Sequence, residues 1–445
     1  MKIAVIDDGV ARGSLRLPVR CWTVRDGEVR EAERDASPDS HGTICARIAT
    51  RGVRDAEVIS LSVYDENRPG KARDLEAALR WCLEDPPDYI NLSNGIAAGL
   101  QAGGLNEACR QLWERGTVLY AGISNDWKYT LPAQLPWVTG VSCRRYLFRR
   151  RYNPFVKADI RTGGLRLCAD GTGRRRWQAG NSIACAAALN REIRKEQRTG
   201  RRMERRISRY VTDLSLLGRV YLADGDLHDA GLMAFPETGA DPEKEKDIVA
   251  AVTETGEPEA AIRRMAPYAG KIRLLAWCGR GVPAGVRKWC AEHGIPLRKG
   301  PAGRGRPVRK RDLSGFFDTF IIGITEGARA ETDAAALRKR LADAGYSVML
   351  FSDDPRSAAY GAASGRSFSL LCRAREAVNP DVMIVILPEK AGVRCDLLVT
   401  GGEKEIRLET EDGTESVPRS ANGEEYARIL ARAEQRSRNG SKEKD

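Results

Sequence analysis

A chain of 445 residues, 42% hydrophobic and 30% charged, has a globular composition, and at about 150 residues per domain its length predicts two or three domains. Its longest apolar runs, such as Val382–Leu387, are strand-sized, which excludes a membrane-spanning helix and argues against a membrane partner. The net charge of +12 lies wholly in the first half: residues 1–210 carry 37 Lys and Arg against 25 Asp and Glu, and the remainder carries 36 against 36.

Arginine clusters at 149–151, 174–176 and 201–206 account for most of that excess. Such runs are ordinarily solvated faces, but their field would also draw an acidic peptide. Nucleic acid is disfavoured as a partner, because no aromatic platform or DNA-binding pattern accompanies the charge. The 11 cysteines form no CxxC pair or Cys/His cluster, and the opening apolar run is too short for a signal peptide. Reduced thiols and a cytoplasmic location are the corresponding expectation.

In chain order, residues 2–6, 57–63, 89–92, 117–121 and 137–141 read as short buried strands. Helical stretches at 72–83 and 105–115 fall between them, and a basic helix over about 185–210 follows. This alternation predicts a parallel α/β sheet with helices on both faces, over residues 1–215. A smaller α/β domain is expected over 216–300, with helices at 246–255, 257–266 and 283–293 and a strand at 272–277. The Gly/Pro/basic stretch 301–315 reads as a linker. A Rossmann-like α/β domain is expected over 316–436, with strands at 319–324, 347–351 and 381–387, helices at 332–344 and 368–377, and hairpins over 397–417. A disordered tail follows at 437–445.

Three segments of the first domain carry chemistry. Val5-Ile6-Asp7-Asp8-Gly9 puts a carboxylate at the C-terminal end of the opening strand, where parallel sheets gather catalytic groups. Ser40-His41-Gly42-Thr43 puts a histidine at a helix start, and no other histidine precedes position 228. Gly180-Asn181-Ser182-Ile183-Ala184 puts a serine at the head of another helix among small residues. A serine hydroxyl needs an imidazole to take its proton, and the imidazole needs a carboxylate to fix its tautomer and stabilise its charge. Singly, an Asp after a strand or a Ser at a helix start is a cap; jointly the three point to nucleophilic catalysis. Asp8 reads as a neighbour without a role, and Cys45 and Cys185 read as small buried packing residues.

The ordered set Asp7, His41, Ser182 with these flanks resembles the subtilisin-like serine peptidases. Tyr89-Ile90-Asn91-Leu92-Ser93-Asn94-Gly95 is similar to that family's substrate-binding strand and turn. Val118-Leu119-Tyr120-Ala121-Gly122-Ile123-Ser124-Asn125 is similar to the strand ending in its oxyanion asparagine, and the segment from Leu131 to Val141 matches the one that follows. The resemblance implies a subtilisin-like sheet, Asp7 as orienting group, His41 as base, Ser182 as nucleophile and Asn125 as oxyanion donor. It further implies Ser93, Asn94 and Gly95 as substrate-binding residues, a peptide or protein substrate, no cofactor and no metal. Asn181 replaces the threonine usual before the nucleophile, Ile44 replaces a second histidine, and Ala186-Ala187-Ala188 stands where a proline is usual.

In the second half, Ile321 to Arg329 has a nucleotide-fold look but lacks the Lys and Ser/Thr of a phosphate-binding loop. The stretch of about 319–387 faintly resembles a clostridial peptide-maturation family, which implies work on a ribosomally made precursor. The expectation is a serine endopeptidase acting through an acyl-enzyme. Two alternatives stand beside it: a catalytically weak peptide-binding pseudopeptidase, and a nucleotide-dependent module in the C-terminal half.

Overall fold

The computed structural model describes residues 1–65, 70–93, 95–97, 102–143, 153, 155–169, 175–202, 207–208, 219–223, 231–234, 251–253, 258–270, 272, 274–277, 282–299, 319–325, 330–352, 362–364, 368–387, 395–402, 404–411, 413–419, 426–429 and 431. The chain divides into two compact units, Met1–Val211 and Thr212–Asp445.

The first unit is built on one eight-stranded sheet. Its strands are β1 (Lys2–Asp7), β2 (Val19–Arg25), β3 (Glu28–Glu31), β4 (Glu57–Ser62), β5 (Tyr89–Leu92), β7 (Val118–Gly122), β9 (Val138–Cys143) and β10 (Ile160–Thr162), with two-residue β6 (Ile96–Ala97) and β8 (Thr130–Leu131) paired apart from it. The order across the sheet is β10-β9-β7-β5-β1-β4-β2-β3, and every pairing is parallel except the β2–β3 hairpin. A separate hairpin, β11 (Leu165–Ala169) and β12 (Arg175–Ala179), leads into the last helix. The central strands read as unbroken apolar runs because both faces are covered. Ile3, Ala4, Val5, Ile6, Tyr89 and Ile90 are all inaccessible to solvent.

β1 pairs with β4 on one side and β5 on the other. The chain winds out through β2 and β3, returns to β4 and crosses β1 to β5, so β1 lies where the winding direction reverses. Side chains at the carboxyl end of such a strand face the crevice that α/β sheets use for ligands. Asp7 ends that strand, in register with Ser62 of β4.

Among the described residues, four helices cover the sheet: α1 (His41–Ala49), α2 (Ala72–Trp81), α3 (Ala102–Glu114) and α4 (Asn181–Thr199). The core between α1, α4 and the sheet joins Ile3, Cys45, Ala49, Tyr89, Tyr120, Val141, Ala184, Cys185, Ala188 and Ile193. Small residues on α4 let it lie close to β5, β7 and β9, which brings its first turn to their carboxyl ends. The basic helix expected over about 185–210 stops at Thr199, because Gly200 adopts a left-handed φ of 65° and caps it through a bond to the Glu196 carbonyl.

The second unit carries two sheets. One has five strands, β13 (Arg219–Ala223), β14 (Gly231–Ala234), β15 (Ala251–Thr253), β16 (Leu275–Trp277) and β17 (Leu297–Lys299), ordered β14-β13-β15-β16-β17 and flanked by α5 (Pro258–Met265) and α6 (Ala284–Glu292). The helix expected over 246–255 is wrong where it is described. Residues 251–253 form β15, central and parallel to β13 and β16. A short Ala/Val run fits helix and buried strand equally in sequence, and pairing on both sides decides it.

The other sheet has β18 (Phe320–Thr325), β19 (Val348–Ser352), β20 (Ala363–Ser364), β21 (Val382–Leu387), β22 (Leu397–Gly401), β23 (Glu405–Thr410) and β24 (Gly413–Pro418), ordered β20-β19-β21-β18-β22-β23-β24. It is parallel up to β22 and antiparallel beyond. Its helices among the described residues include α7 (Ala330–Asp343) and α8 (Phe368–Val378), and residues 426–429 are helical as well. Both units are therefore mixed α/β with parallel-rich sheets, the class expected. The 301–315 linker, the 437–445 tail and the turn at 327–329 lie outside the described residues.

Candidate active site

Three elements converge at the carboxyl end of β1. Asp7 is fully buried, and both its oxygens lie close to His41 Nδ1, at 3.0 and 2.9 Å. The other ring nitrogen, His41 Nε2, is 2.9 Å from Ser182 Oγ. The structure thus brings Asp7, His41 and Ser182, 175 positions apart in sequence at their extremes, into one continuous chain of hydrogen bonds.

His41 is the first residue of α1, and its backbone is fixed twice over. The Ser40 hydroxyl accepts from the Thr43 N–H at 3.1 Å as an N-cap. The Asp8 carboxylate accepts from the His41 N–H at 3.0 Å and the Gly42 N–H at 2.6 Å, two further amides that a helix start leaves without internal partners. Burial and the charge of Asp7 raise the Asp8 pKa above its usual value, while these two donors act the other way. Asp8, read from the sequence as a neighbour without a role, therefore anchors the helix that carries the imidazole. The signal was present: an acid one residue from Asp7 can reach a helix start that Asp7 must also approach.

Ser182 stands in the first turn of α4, held by the preceding Asn181. The buried Asn181 carboxamide accepts from the Cys143 N–H at 2.7 Å and donates to the Ile123 and Ser124 carbonyls at 2.9 and 3.1 Å. It thereby ties the start of α4 to the carboxyl ends of β7 and β9. The approach is close: a Cβ on Gly122 would meet Asn181 C and Ser182 N at 3.1 Å.

Asn125 is exposed beside the nucleophile, its side-chain oxygen accepting from the Asn181 N–H at 3.2 Å. That bond commits the oxygen and leaves the –NH2 group to serve as donor. A Cβ on Gly180 would lie 3.7 Å from Ser182 Oγ and 3.9 Å from Asn125 Oδ1, so only glycine leaves open the space between hydroxyl and carboxamide. The Ser182 N–H belongs to the first helical turn, whose amides have no intrahelical acceptor.

No protein-family model matches the chain, and no curated protein matches it. Solved structures do. The chain is similar to a lanthipeptide protease at 16% identity and a TM-score of 0.36, over 46% of this chain and 76% of that one. It is similar to a cold-adapted subtilisin-like serine proteinase at 17% identity and a TM-score of 0.36, over 44% and 76%. It is also similar to the protease domain of PatA at 16% identity and a TM-score of 0.38, over 45% and 82%. These matches are partial, and what the site can do follows from its side chains.

Electrostatically the site favours charge on His41. Burial opposes the imidazolium, but the hydrogen bond of Asp7, the contact with Cys45 and the charge of Asp7 together outweigh burial and raise the His41 pKa above its ordinary 6.5 to about 11. The Cys45 thiol lies 3.9 Å from His41 Nε2, yet burial lifts its pKa above the ordinary value, and the same holds for Cys185. Both stay as neutral thiols at neutral pH, which leaves the Ser182 hydroxyl as the group the imidazole can activate. Ligating atoms of Asp7, His41 and Cys45 lie within 4.8 Å of one another, the single such cluster among the described residues. Two of its members are the groups that the serine needs.

Of the residues expected to bind substrate, Ser93 accepts from Asn91 Nδ2 at 2.7 Å just beyond β5. Gly95 is exposed, and a Cβ there would meet Thr130 at 3.2 Å and the Leu131 carbonyl at 3.3 Å, where β6 pairs with β8. Asn94 lies outside the described residues. No helix among the described residues is long and apolar enough to cross a membrane, and no disulfide joins the described cysteines.

Proposed function

We propose that the first unit is a serine endopeptidase that cleaves peptide bonds through an acyl-enzyme on Ser182. The observation that carries this reading is the unbroken sequence of contacts from Asp7 through both ring nitrogens of His41 to Ser182 Oγ. As Ser182 Oγ bonds to the substrate carbonyl carbon, its proton passes to His41 Nε2, and Asp7 stabilises the resulting imidazolium. Negative charge on the carbonyl oxygen is met by the Asn125 –NH2 group and the Ser182 N–H. The imidazolium then protonates the departing amine. Water, deprotonated by the same imidazole, releases the acyl group and restores the serine. No step calls for a metal or cofactor.

Ser93 to Gly95 suit the role of an edge that pairs with extended substrate backbone. The sequence resemblance of about 319–387 extends the proposal to a ribosomally made peptide precursor as substrate, processed in the cytoplasm, with acidic segments favoured by the basic first half. Of the departures behind the pseudopeptidase alternative, Asn181 supports the nucleophile's helix rather than removing a reacting group.

A fluorophosphonate probe tests the proposal. Rapid labelling of the folded chain that vanishes in Ser182→Ala is the result expected. Folded protein that fails to label would overturn it.

A further inference from the structure

Tyr64 has no part in the relay described above, yet it touches the group on which the relay depends. Its hydroxyl donates to Asp7 Oδ1 at 2.5 Å. Strand register puts it there: Ser62 pairs with Asp7 at the end of β4, and the ladder continues with the Val63 N–H donating to the Asp7 carbonyl at 2.9 Å. Ser62 Oγ then donates to the Tyr64 carbonyl at 3.2 Å and fixes the turn. Burial, and next the charge of Asp7, push the Tyr64 phenol well above its ordinary pKa, so it keeps its proton and acts only as a donor.

We infer that Tyr64 is a positioning residue that sets both the orientation of the Asp7 carboxylate and the strength with which Asp7 holds a proton on His41. The inference rests on the peptidase reading and concerns regulation of that same site. Asp7 Oδ1 receives the Asp8 N–H at 2.9 Å and the Tyr64 hydroxyl in addition to its contact with His41 Nδ1. Each donor stabilises the carboxylate's charge and spends part of it, so less is left to stabilise the imidazolium. An imidazole that already holds its proton cannot take the serine's, so a carboxylate held in place and tempered leaves more of the imidazole free to act as base. Tyr64 gives up no proton during the cycle. It makes one hydrogen bond throughout, while the transferred proton moves between Ser182 Oγ, His41 Nε2 and the leaving amine.

The groups facing this pair come from every side. Asp8 lies at the end of β1, Cys45 on α1, Cys185 on α4 and Tyr64 after β4. Both thiols and the phenol are pushed above their usual values by burial, and Asp8 is raised by burial and the charge of Asp7. Against burial, His41 is raised by its partners to about 11, so its own ring proton is the signal that reads Tyr64.

The experiment is Tyr64→Phe in the full chain, a change that keeps the ring and removes only the hydroxyl. The expected result is a kcat lower by about tenfold, the lower end of the worth of one hydrogen bond to a charged group, with KM within about twofold. The acid limb of kcat/KM should move to higher pH, because the untempered carboxylate holds the imidazolium more strongly. A second measurement does not need turnover. In a Ser182→Ala background the chain has only 3 histidines, and the His41 ring proton can be followed by NMR as pH is varied. Its pKa should rise when Tyr64→Phe is added. An acid limb and a His41 titration that both coincide with those of the parent protein would overturn the inference. The two failures are distinguishable: parent protein that never labels with fluorophosphonate defeats the peptidase reading, whereas labelling parent protein with an unmoved Tyr64→Phe titration defeats this inference alone.

Discussion

Replacing Asn181 by Ala should loosen the nucleophile from the sheet. The side chain makes three hydrogen bonds in a buried position, to the Cys143 N–H and to the Ile123 and Ser124 carbonyls. Alanine leaves the Cys143 amide and the Ile123 carbonyl without partners in the interior, since both residues are almost wholly buried. A buried orphan costs about 1–3 kcal/mol, so the pair predicts a loss of about 4 kcal/mol. For a unit the size of Met1–Val211, where 1 kcal/mol shifts the transition by about 2–4 °C, the melting point should fall by about 8–16 °C. Acylation should slow as well, because the first turn of α4 carries Ser182 and the Asn181 N–H holds Asn125 in place. Asn181→Thr should fall between parent and Ala, as one hydroxyl can satisfy only part of the set. Thermal melting followed by near-ultraviolet dichroism, with fluorophosphonate labelling rates taken well below the transition, measures both effects. An Ala variant that melts within about 2 °C of the parent and labels at the parent's rate would refute the clamp.

Asn125→Ala should lower kcat by about 10²–10³-fold while KM stays nearly constant, because the carboxamide acts on charge that exists only in the transition state. Steady-state kinetics on a peptide substrate checks this, and a change confined to KM would contradict it. Asp7→Asn should cut acylation by about 10³–10⁴-fold, since the amide cannot stabilise the imidazolium or fix its tautomer. The sign of its pH effect is also set: with the carboxylate gone, burial is opposed only by the Cys45 contact, and the His41 pKa should drop well below its raised value of about 11. An NMR titration of the ring proton reads that shift, and a pKa that stays raised in Asp7→Asn would contradict the assignment of its cause to Asp7.

How much the sequence revealed depended on range. The three segments around Asp7, His41 and Ser182 each carry a local signal, a strand end or a helix start among small residues, and the structure brings those three side chains together. Tyr64 carries no such signal: a tyrosine after a strand looks like any half-buried aromatic until strand register places its hydroxyl against Asp7. Asn181 looked like a departure, because its three partners lie 38 to 58 residues away in sequence. The β2–β3 hairpin carries a local signal of its own. Asp26-Gly27 is a two-residue hairpin turn signal, and both residues have positive φ, 53° and 85°. The strand at 251–253 was not legible, since only its neighbours on both sides distinguish it from a buried helix.

The most direct measurement is of the acyl-enzyme itself. Mixing the full chain with excess peptide ester, quenching in acid within the first turnover and weighing the protein should show one acyl group per chain. Fragmentation should place it on Ser182, and the adduct should be absent from Ser182→Ala and form far more slowly in His41→Ala. Hydrolysis that proceeds with no adduct on Ser182, or that persists undiminished in Ser182→Ala, would contradict a serine nucleophile driven by His41 and Asp7.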